Sequence, residues 1–337
     1  MPKYAVRYLK PSEFYLWDEF VEEEKDGILF QRTNWITSIY QQQDPSIEFR
    51  VLVCINNKNG RFVGGLAFGV KKKLGLWIMI QPHNTPFSGF LISHRNSTYL
   101  SKDHSFRSEV MTLIGKQLEA DLHFISIIAP FEVKDIRPFT WRNYKTTVLY
   151  TFYTDTLDRQ QAMEKWNPDI RRQATKAMKQ PISIAQGLES KQIHDFYKIQ
   201  ELSFKRQRHR FKFDSQAFEK LITRLSSTVN LTFYVAYKEG TPIAGQVILY
   251  HKKRAYYWLA GAHPDYLKSG ANQAILKHIF KDFDAKGIDQ FDFVGANTSG
   301  VADYKGSFNF PLKPYYHLTK IMGPYAKLLF LLKQGIN

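Results

Sequence analysis

The hydrophobic and polar positions of the first half of the chain follow two spacings. Apolar residues that recur about every 3.6 positions predict helices over residues 11–25, 33–43 and 106–121. Short apolar or alternating runs predict strands between these helices. The predicted strands cover residues 4–9, 49–56, 61–70, 74–81, 123–131 and 143–156.

The second half repeats the same order of elements. Strands are predicted over residues 181–187, 231–240, 241–254, 255–262 and 288–296, and helices over 190–207, 215–227, 270–286 and 323–334. The order β-α-α-β-β-β-α-β therefore appears twice. We predict an α/β (α+β) chain with two tandem domains, residues 1–156 and residues 157–337, and a length of 337 residues accommodates both.

Basic residues are concentrated in the second half. Residues 1–150 carry 19 Lys/Arg and 15 Asp/Glu, whereas residues 151–337 carry 28 and 16. A positive field of this kind attracts anions such as nucleic acid, anionic lipid or nucleotides, although generic solubility charge is the alternative. The sequence predicts no metal site, since Cys54 is the one cysteine and the ten histidines lack metal-ligand spacing.

The distribution of apolar residues gives an expectation about location. The first residues, MPKYAVRYLK, lack the apolar core of a signal peptide. No window reaches the ~18–20 apolar residues that a membrane-spanning helix needs. We expect a cytoplasmic protein without a transmembrane segment, and a peripheral membrane contact remains open.

A serine and a glycine precede the helix predicted over 270–286. A helix N-terminus offers N–H groups without partners and a positive dipole end, and glycine allows an anion to approach the backbone. Ser269, Gly270, Ala271 and Asn272 are therefore candidate cofactor-binding residues. A plain Ser/Gly helix cap is the alternative.

Two basic clusters lie in the second half. KWNPDIRRQATKAMK contains Arg171, Arg172 and Lys176, and FKRQRHRFKF contains Arg206 and Arg208 between phenylalanines. Basic residues interleaved with aromatic ones suit phosphate contacts and stacking. A solvated basic face is the alternative for each cluster.

One stretch combines a strand end with a lysine. FDFVGANTSGVADYKG (291–306) begins as an apolar strand that carries Asp292. The strand is followed by a polar turn that holds Asn297. Tyr304 and Lys305 follow that turn. An ammonium group in a partly dry site can stabilise an oxyanion, so Lys305 is a candidate catalytic residue. Asp292 is a candidate base, Tyr304 a candidate proton relay, and a surface lysine is the alternative reading of Lys305.

Three stretches resemble the Fem-type and related two-domain members of the GNAT acyltransferase superfamily. They are NPDIRRQATKAMK (167–179), the segment 242–296 and GVADYKGSFNFPLKPYY (300–316). Together they extend over most of residues 160–320. The first half resembles the family in its element order and in the helix LFQRTNWI.

This resemblance implies two tandem GNAT-like domains, each a mixed, mostly antiparallel twisted sheet flanked by helices. It implies an acyltransferase domain in the second half and an acceptor-binding or degenerate domain in the first. It also implies that Lys305 lies near the transferred carbonyl, and that the helix start at Gly270 holds the phosphates of the carrier. Arg171, Arg172, Lys176, Arg206, Arg208 and Asn297 become candidate substrate-binding residues.

Three functions follow as hypotheses. The first is transfer of an acyl group from an acyl-CoA co-substrate to a small-molecule or lipid-linked amine, on a cell-envelope or sugar-nucleotide precursor. The second is a Fem-like transfer from aminoacyl-tRNA to a peptidoglycan precursor. Both carriers stay open, because LKSGAN (267–272) departs from the family's coenzyme A fingerprint and the coiled-coil arm of some Fem enzymes is absent. The third is non-catalytic binding of nucleic acid or anionic membrane on a degenerate GNAT fold.

Overall fold

The computed structural model describes residues 2–95, 98–155 and 158–328. Within them the strands are β1 (Tyr4–Tyr8), β2 (Glu48–Asn56), β3 (Phe62–Lys73), β4 (Leu76–Ile80), β5 (Leu91–Ile92), β6 (Phe124–Ala129), β7 (Lys145–Thr154), β8 (Ile182–Gly187), β9 (Asn230–Lys238), β10 (Thr241–His251), β11 (Arg254–Ala262), β12 (Gln290–Asp292) and β13 (Leu312–Ile321). The helices are α1 (Phe14–Glu23), α2 (Thr33–Gln43), α3 (Leu100–Asp121), α4 (Arg137–Thr140), α5 (Arg159–Glu164), α6 (Pro168–Met178), α7 (Ser190–Arg206), α8 (Ser215–Ser226), α9 (Ala271–Asp282) and α10 (Ser299–Gly306).

The chain folds into two compact units. Unit 1 contains the residues up to Leu149 together with those from Pro314 onward, and unit 2 is Tyr150–Lys313. The sequence-based division assigned all of 157–337 to the second domain. The structure differs at the end of the chain because β13 pairs antiparallel with β6, which belongs to unit 1.

Each unit is built on a mostly antiparallel sheet, which confirms the predicted α/β class. In unit 1 the strands lie in the order β1-β2-β3-β4-β6-β13, with β5 beside β3 and a parallel contact between β4 and β6. In unit 2 the order is β7-β12-β11-β10-β9-β8, with a parallel contact between β11 and β12. No described helix is long and apolar enough to cross a bilayer.

Several predicted elements match the structure, and others differ for physical reasons. The helix predicted over 33–43 has the bounds of α2. In contrast, α3 begins at Leu100 rather than at 106, because its exposed first turns are polar and lack the apolar period. Of the strand predicted over 288–296, only Gln290–Asp292 forms a β-strand. The helix predicted over 323–334 is helical over 324–328, and the rest lies outside the described residues.

An aromatic core fixes the part of unit 2 that carries β12 and α10. Phe291 and Phe293 pack edge to face with ring centroids 4.8 Å apart, and Phe308 lies 5.2 Å from Phe293. Trp166 packs edge to face on Phe308 at 5.0 Å. Offset and edge contacts of this kind add to the burial of large apolar surfaces. The segment that holds Lys305 is therefore anchored to a rigid core.

Candidate functional site

A cavity of about 810 Å³ opens in unit 2. This volume lies within the range of small-molecule binding sites. Helices α6 and α7, strand β11, the start of α9 and helix α10 form its wall. The described residues that line it include Gln173, Gln200, Arg206, Tyr257, Trp258, Leu259, Ala260, Gly261, Ala262, Tyr266, Ser269, Ala271, Asn272, Tyr304 and Lys305.

The cavity lies where two parallel strands part. β12 pairs with β11 only over Arg254–Tyr256, although β11 continues to Ala262. Residues 257–262 of β11 then line the cavity. After Asp292 the chain turns away from β11, where Val294 and Gly295 take left-handed φ angles of 53° and 73°, while the N–H groups of Phe293 and Ala296 still donate to β7. That conformation is strained for a β-branched residue such as Val294.

Lys305 holds this strained turn. Its Nζ donates hydrogen bonds to the carbonyl oxygens of Phe293, Val294 and Gly295, each at 2.7 Å. An ammonium group has three donors, and all three are used here. Lys305 is 8% exposed and also lines the cavity. Burial lowers the pKa of Lys305 to about 8, while the nearby Asp292 carboxylate opposes this shift.

Asp292 lies behind the cavity wall, where it fixes the end of β12. Its Oδ1 accepts hydrogen bonds from Thr151 Oγ1 at 2.6 Å and from Val294 N at 2.8 Å. Burial raises the pKa of Asp292 above its ordinary value, although these two hydrogen bonds oppose the shift. Asp292 is absent from the residues that line the cavity. The structure thus places this candidate base beside the turn after β12 and outside the lining of the cavity.

Three polar atoms of the cavity wall have no partner in good hydrogen-bond geometry, although two of them, the Tyr257 and Tyr304 hydroxyls, lie close enough to interact with each other. They are the hydroxyl groups of Tyr257 and Tyr304 and Oε1 of Gln200. Burial raises the pKa of both phenols; their mutual contact raises the pKa of Tyr257 further and opposes the shift of Tyr304, and both remain neutral O–H groups at ordinary pH. A buried polar atom without a partner costs about 1–3 kcal/mol. The Gln200 oxygen therefore favours a polar ligand that would satisfy it.

The start of α9 forms another part of the wall. Ser269 Oγ accepts a hydrogen bond from Ala271 N at 3.2 Å, and Gln246 Nε2 donates to Asn272 O at 2.8 Å. The other first-turn N–H groups have no intrahelical acceptor, and the dipole at this end is positive. Ser269, Ala271 and Asn272 line the cavity.

Glycine at position 270 was expected to let an anion approach the backbone, but the structure shows that it makes room for helix α6. It has a left-handed φ of 76°, and a Cβ added there would lie 2.3 Å from the carbonyl oxygen of Gln173 on α6. The space beside Gly270 is thus filled by protein backbone. The residue allows α9 to start close against α6, and it does not line the cavity.

The candidate substrate-binding arginines and lysines lie in different places. Arg206 lines the cavity. Arg171, Arg172 and Lys176 line a separate, open concavity of about 630 Å³ on α6. Arg208 is exposed, has a φ of 57° and lines neither space.

Asn297 also lies outside the cavity. Its Oδ1 accepts a hydrogen bond from the backbone N–H of Tyr150 at 2.7 Å. This contact ties the loop after β12 to β7. The structure thus shows a structural contact for this candidate substrate-binding residue.

The charge of the cavity wall has one sign. Arg206 and Lys305 are the charged side chains among the described residues that line it, and that lining includes no carboxylate and no imidazole. The described parts of the chain also hold no group of three His, Cys, Asp or Glu side chains that could bind a metal ion. The wall suits an anionic or carbonyl-bearing ligand.

Sequence reasoning found Arg206 of α7 but missed Gln200 of the same helix and Tyr257 of β11. Gln200 is 2% exposed and Tyr257 is 4% exposed, so both resemble ordinary core residues in the sequence. Two adjacent tyrosines inside the run AYYWLAGA were the available signal, because a buried phenol needs a hydrogen-bond partner.

Comparisons with known proteins give a family match within unit 2 and structural similarity over the whole chain. Residues 167–306 match the model of the acetyltransferase (GNAT) domain. The whole chain is similar in structure to FemX, with a TM-score of 0.67, 12% identity, and coverage of 97% of this chain and 99% of FemX. No curated protein sequence matches the chain.

Two further solved structures share the fold. One is the tandem GNAT protein of the clavulanic acid biosynthesis pathway, with a TM-score of 0.54, 10% identity and coverage of 95% of this chain and 99% of that chain. The other is the C-terminal domain of a putative lysylphosphatidylglycerol synthetase from Agrobacterium fabrum. It has a TM-score of 0.54, 10% identity and 96% coverage of both chains. At these identities the similarity concerns the fold.

Proposed function

Because residues 167–306 carry a GNAT acetyltransferase domain on a fold shared with FemX and tandem GNAT proteins, we propose that the protein is an N-acyltransferase. It moves an acyl group from an acyl-CoA-type carrier to an amine on a cell-envelope or sugar-nucleotide precursor. The observation that carries this proposal is the cavity of about 810 Å³ where β11 and β12 part, walled by Lys305 and by the start of α9.

The cavity wall fits such a carrier. Past Tyr256 the pairing of β11 with β12 ends, so residues 257–262 present one side of a strand to the cavity. A strand edge can pair with the amide groups of an extended ligand. The first turn of α9 and Arg206 add positive potential for the anionic end. When bound, the carrier supplies an activated acyl carbonyl.

The residues of the wall act on that carbonyl through charge and hydrogen bonds. The Lys305 ammonium and the phenols of Tyr257 and Tyr304 favour negative charge on an oxygen in the cavity. Because the three donors of Lys305 are held by backbone carbonyls, it contributes mainly its charge. It also keeps β12 turned away from β11, so it maintains the opening. In the described wall, Tyr304 is the residue we assign to proton relay.

Transfer from aminoacyl-tRNA is the second candidate. The observation that favours it is the basic concavity on α6, which Arg171, Arg172, Lys176 and Lys179 line outside the cavity. A polynucleotide reaches over a wider surface than a small carrier, and its binding depends strongly on salt. The acyl-CoA proposal is ranked first because the cavity itself offers the volume and polar atoms for a small carrier.

A thermal-shift screen tests the choice of carrier. Ligands that bind the folded state raise the melting temperature by mass action. The screen compares acetyl-CoA, longer acyl-CoAs, bulk tRNA and nucleotide-sugar precursors at low and moderate salt. A shift with an acyl-CoA that persists at moderate salt supports the first proposal. A shift with tRNA alone supports the second, and no shift with any of them supports a non-catalytic binding protein.

A further inference from the structure

One end of the unit 1 sheet presents an apolar side chain that the local backbone does not favour. Leu74 forms the tip of the hairpin between β3 and β4, where it is 76% exposed and has a φ of 48°. Left-handed φ angles suit Gly, Asn or Asp, and an exposed leucine gains nothing from burial. Neither the fold nor solubility explains a leucine at this tip.

Lysines surround this tip. Lys71, Lys72 and Lys73 directly precede Leu74. Lys71 forms an ion pair with Asp44 at 2.5 Å, and Lys72 lies 5.9 Å from the ring centroid of Trp77. Lys72 and Lys73 are exposed. The tip therefore combines an apolar group, a nearby indole and cationic groups that face solvent.

The last described helical turn leaves the sheet at the same end. His123 N donates to Trp77 O at 2.8 Å, and Met322 N donates to His123 O at 2.8 Å, so the start of β4, the start of β6 and the end of β13 adjoin. Neighbouring strands are ~4.8 Å apart, which places the Leu74 hairpin and residue 323 within roughly 10–15 Å of each other.

The turn after residue 323 adds apolar groups to this end. Ala326 is buried at 1% exposure, whereas Tyr325 and Leu328 are each 56% exposed, and Lys327 is also exposed. Exposed leucines, an aromatic ring and lysines thus share one end of unit 1.

This combination matches the interface of an anionic bilayer. Apolar side chains enter the boundary between headgroups and acyl chains, aromatic rings lie at the headgroup level, and lysines attract anionic lipids. We infer that the Leu74 end of unit 1, defined by Lys72, Lys73, Leu74, Tyr325 and Leu328, rests on an anionic lipid surface. This inference does not depend on the proposed acyl transfer.

Sedimentation of the full chain with vesicles tests the inference. The vesicles contain phosphatidylglycerol with phosphatidylcholine, or phosphatidylcholine alone. The wild type is expected to bind the anionic vesicles more tightly, and binding should weaken at high salt. Leu74→Asn should lower the partition coefficient on the order of ten-fold, since one leucine leaves the acyl boundary. Lys72→Gln with Lys73→Gln should lower it about thirty-fold at low salt, at ~1 kcal/mol for each lysine.

Leu100 provides a matched control. It is 75% exposed and lies at the first residue of α3, whose last residue adjoins the strand ends described above. Because α3 has 22 residues, Leu100 lies roughly 33 Å away along the helix. Leu100→Asn should leave vesicle binding unchanged. Asn tolerates the φ of position 74, so Leu74→Asn should also keep the melting temperature of the wild type.

Three results would overturn the inference. One is the absence of wild-type binding to anionic vesicles, and another is equal binding by the wild type and Leu74→Asn. The third is a stable dimer in light scattering that Leu74→Asn dissociates, since a second copy of the chain would then cover this end.

Discussion

At the scale of the residue, Lys305 has a structural role, and we propose a chemical role for it as well. Its ammonium group binds three successive carbonyls of the turn after β12, and the residue lines the cavity. The turn contains Val294 in a left-handed conformation, which is costly unless its surroundings enforce it. Lys305 supplies that enforcement. Loss of its charge should therefore affect both the cavity opening and the transfer step.

The pKa of Lys305 gives a pH prediction. Below a pH of about 8 the ammonium form dominates, and it is lost as the pH rises through that value. If its charge supports transfer, kcat of the wild type should fall above pH 8. Lys305→Met should lower kcat about 10²–10³-fold and remove this alkaline limb. Steady-state rates from pH 6 to 10 measure both effects, and Tyr304→Phe is the control that should keep the limb.

The pH dependence of stability at Lys305 cannot explain a fall in kcat above pH 8. The pKa of Lys305 is lower in the folded chain than its ordinary value of 10.5, so between about pH 8 and 10.5 the unfolded chain binds more protons at this group. The free energy of unfolding therefore rises with pH over that window, as far as Lys305 contributes. An unchanged pH profile in Lys305→Met would remove the lysine from the transfer step.

The sequence pointed to some residues of the cavity and not to others. Lys305 and Tyr304 were found because a strand that ends in a polar turn is a local pattern. Gln200 and Tyr257 were missed because their lack of a partner in good hydrogen-bond geometry appears only once α7 and β11 lie together. The carbonyl contacts of Lys305 depend on the φ angles of Val294 and Gly295, which no residue pattern specifies.

At the scale of the element, the contact of α9 with α6 sets one wall of the cavity. Gly270 starts α9 with a left-handed φ, and its missing side chain leaves room for the carbonyl of Gln173. Helix α6 is in turn started by Asn167, whose side chain accepts a hydrogen bond from Asp169 N at 2.9 Å. Ile170 and Gln173 of α6 and Asn272 of α9 line the same cavity.

A pair of glycine substitutions separates the backbone and steric contributions of Gly270. Gly240→Ala should cost about 1 kcal/mol, because φ there is 78° and nothing lies within 4 Å of the new Cβ. Gly270→Ala has nearly the same φ and also a contact of 2.3 Å with the backbone, so it should cost about 2–4 kcal/mol. Urea unfolding measures both. Equal losses would show that the contact between α6 and α9 does not depend on this glycine.

The bounds of helices were predicted correctly where neighbouring residues, through a capping side chain or an apolar period, determine them. Helix α2 has its predicted bounds, and Asp214 caps α8, one residue before the predicted helix start, by accepting a hydrogen bond from Ala217 N at 2.8 Å. Strand β12 is shorter than its apolar run because Lys305, which lies 11 residues after Val294, enforces the turn there. The short strand β5 was missed, since its two residues are defined by pairing with β3.

At the scale of the whole molecule, we propose different roles for two units of related element order. Unit 2 carries the cavity, its cationic wall and the GNAT acetyltransferase match. Unit 1 carries the Leu74 end that we assign to a lipid surface. The repeated element order was visible in the sequence, but the return of β13 to unit 1 was not, because strand pairing over such a separation leaves no local pattern.

The central claim is that the cavity of unit 2 binds the acyl carrier. The most direct test is calorimetric titration of acetyl-CoA and longer acyl-CoAs into the wild type, Ala260→Phe and Ala285→Phe. Ala260 lines the cavity, whereas Ala285 is an exposed turn residue outside its lining. A phenylalanine at 260 should fill part of the binding space and weaken binding at least about ten-fold, while the substitution at 285 should have no effect. Equal affinity of all three folded proteins, or no binding by the wild type, would contradict the claim.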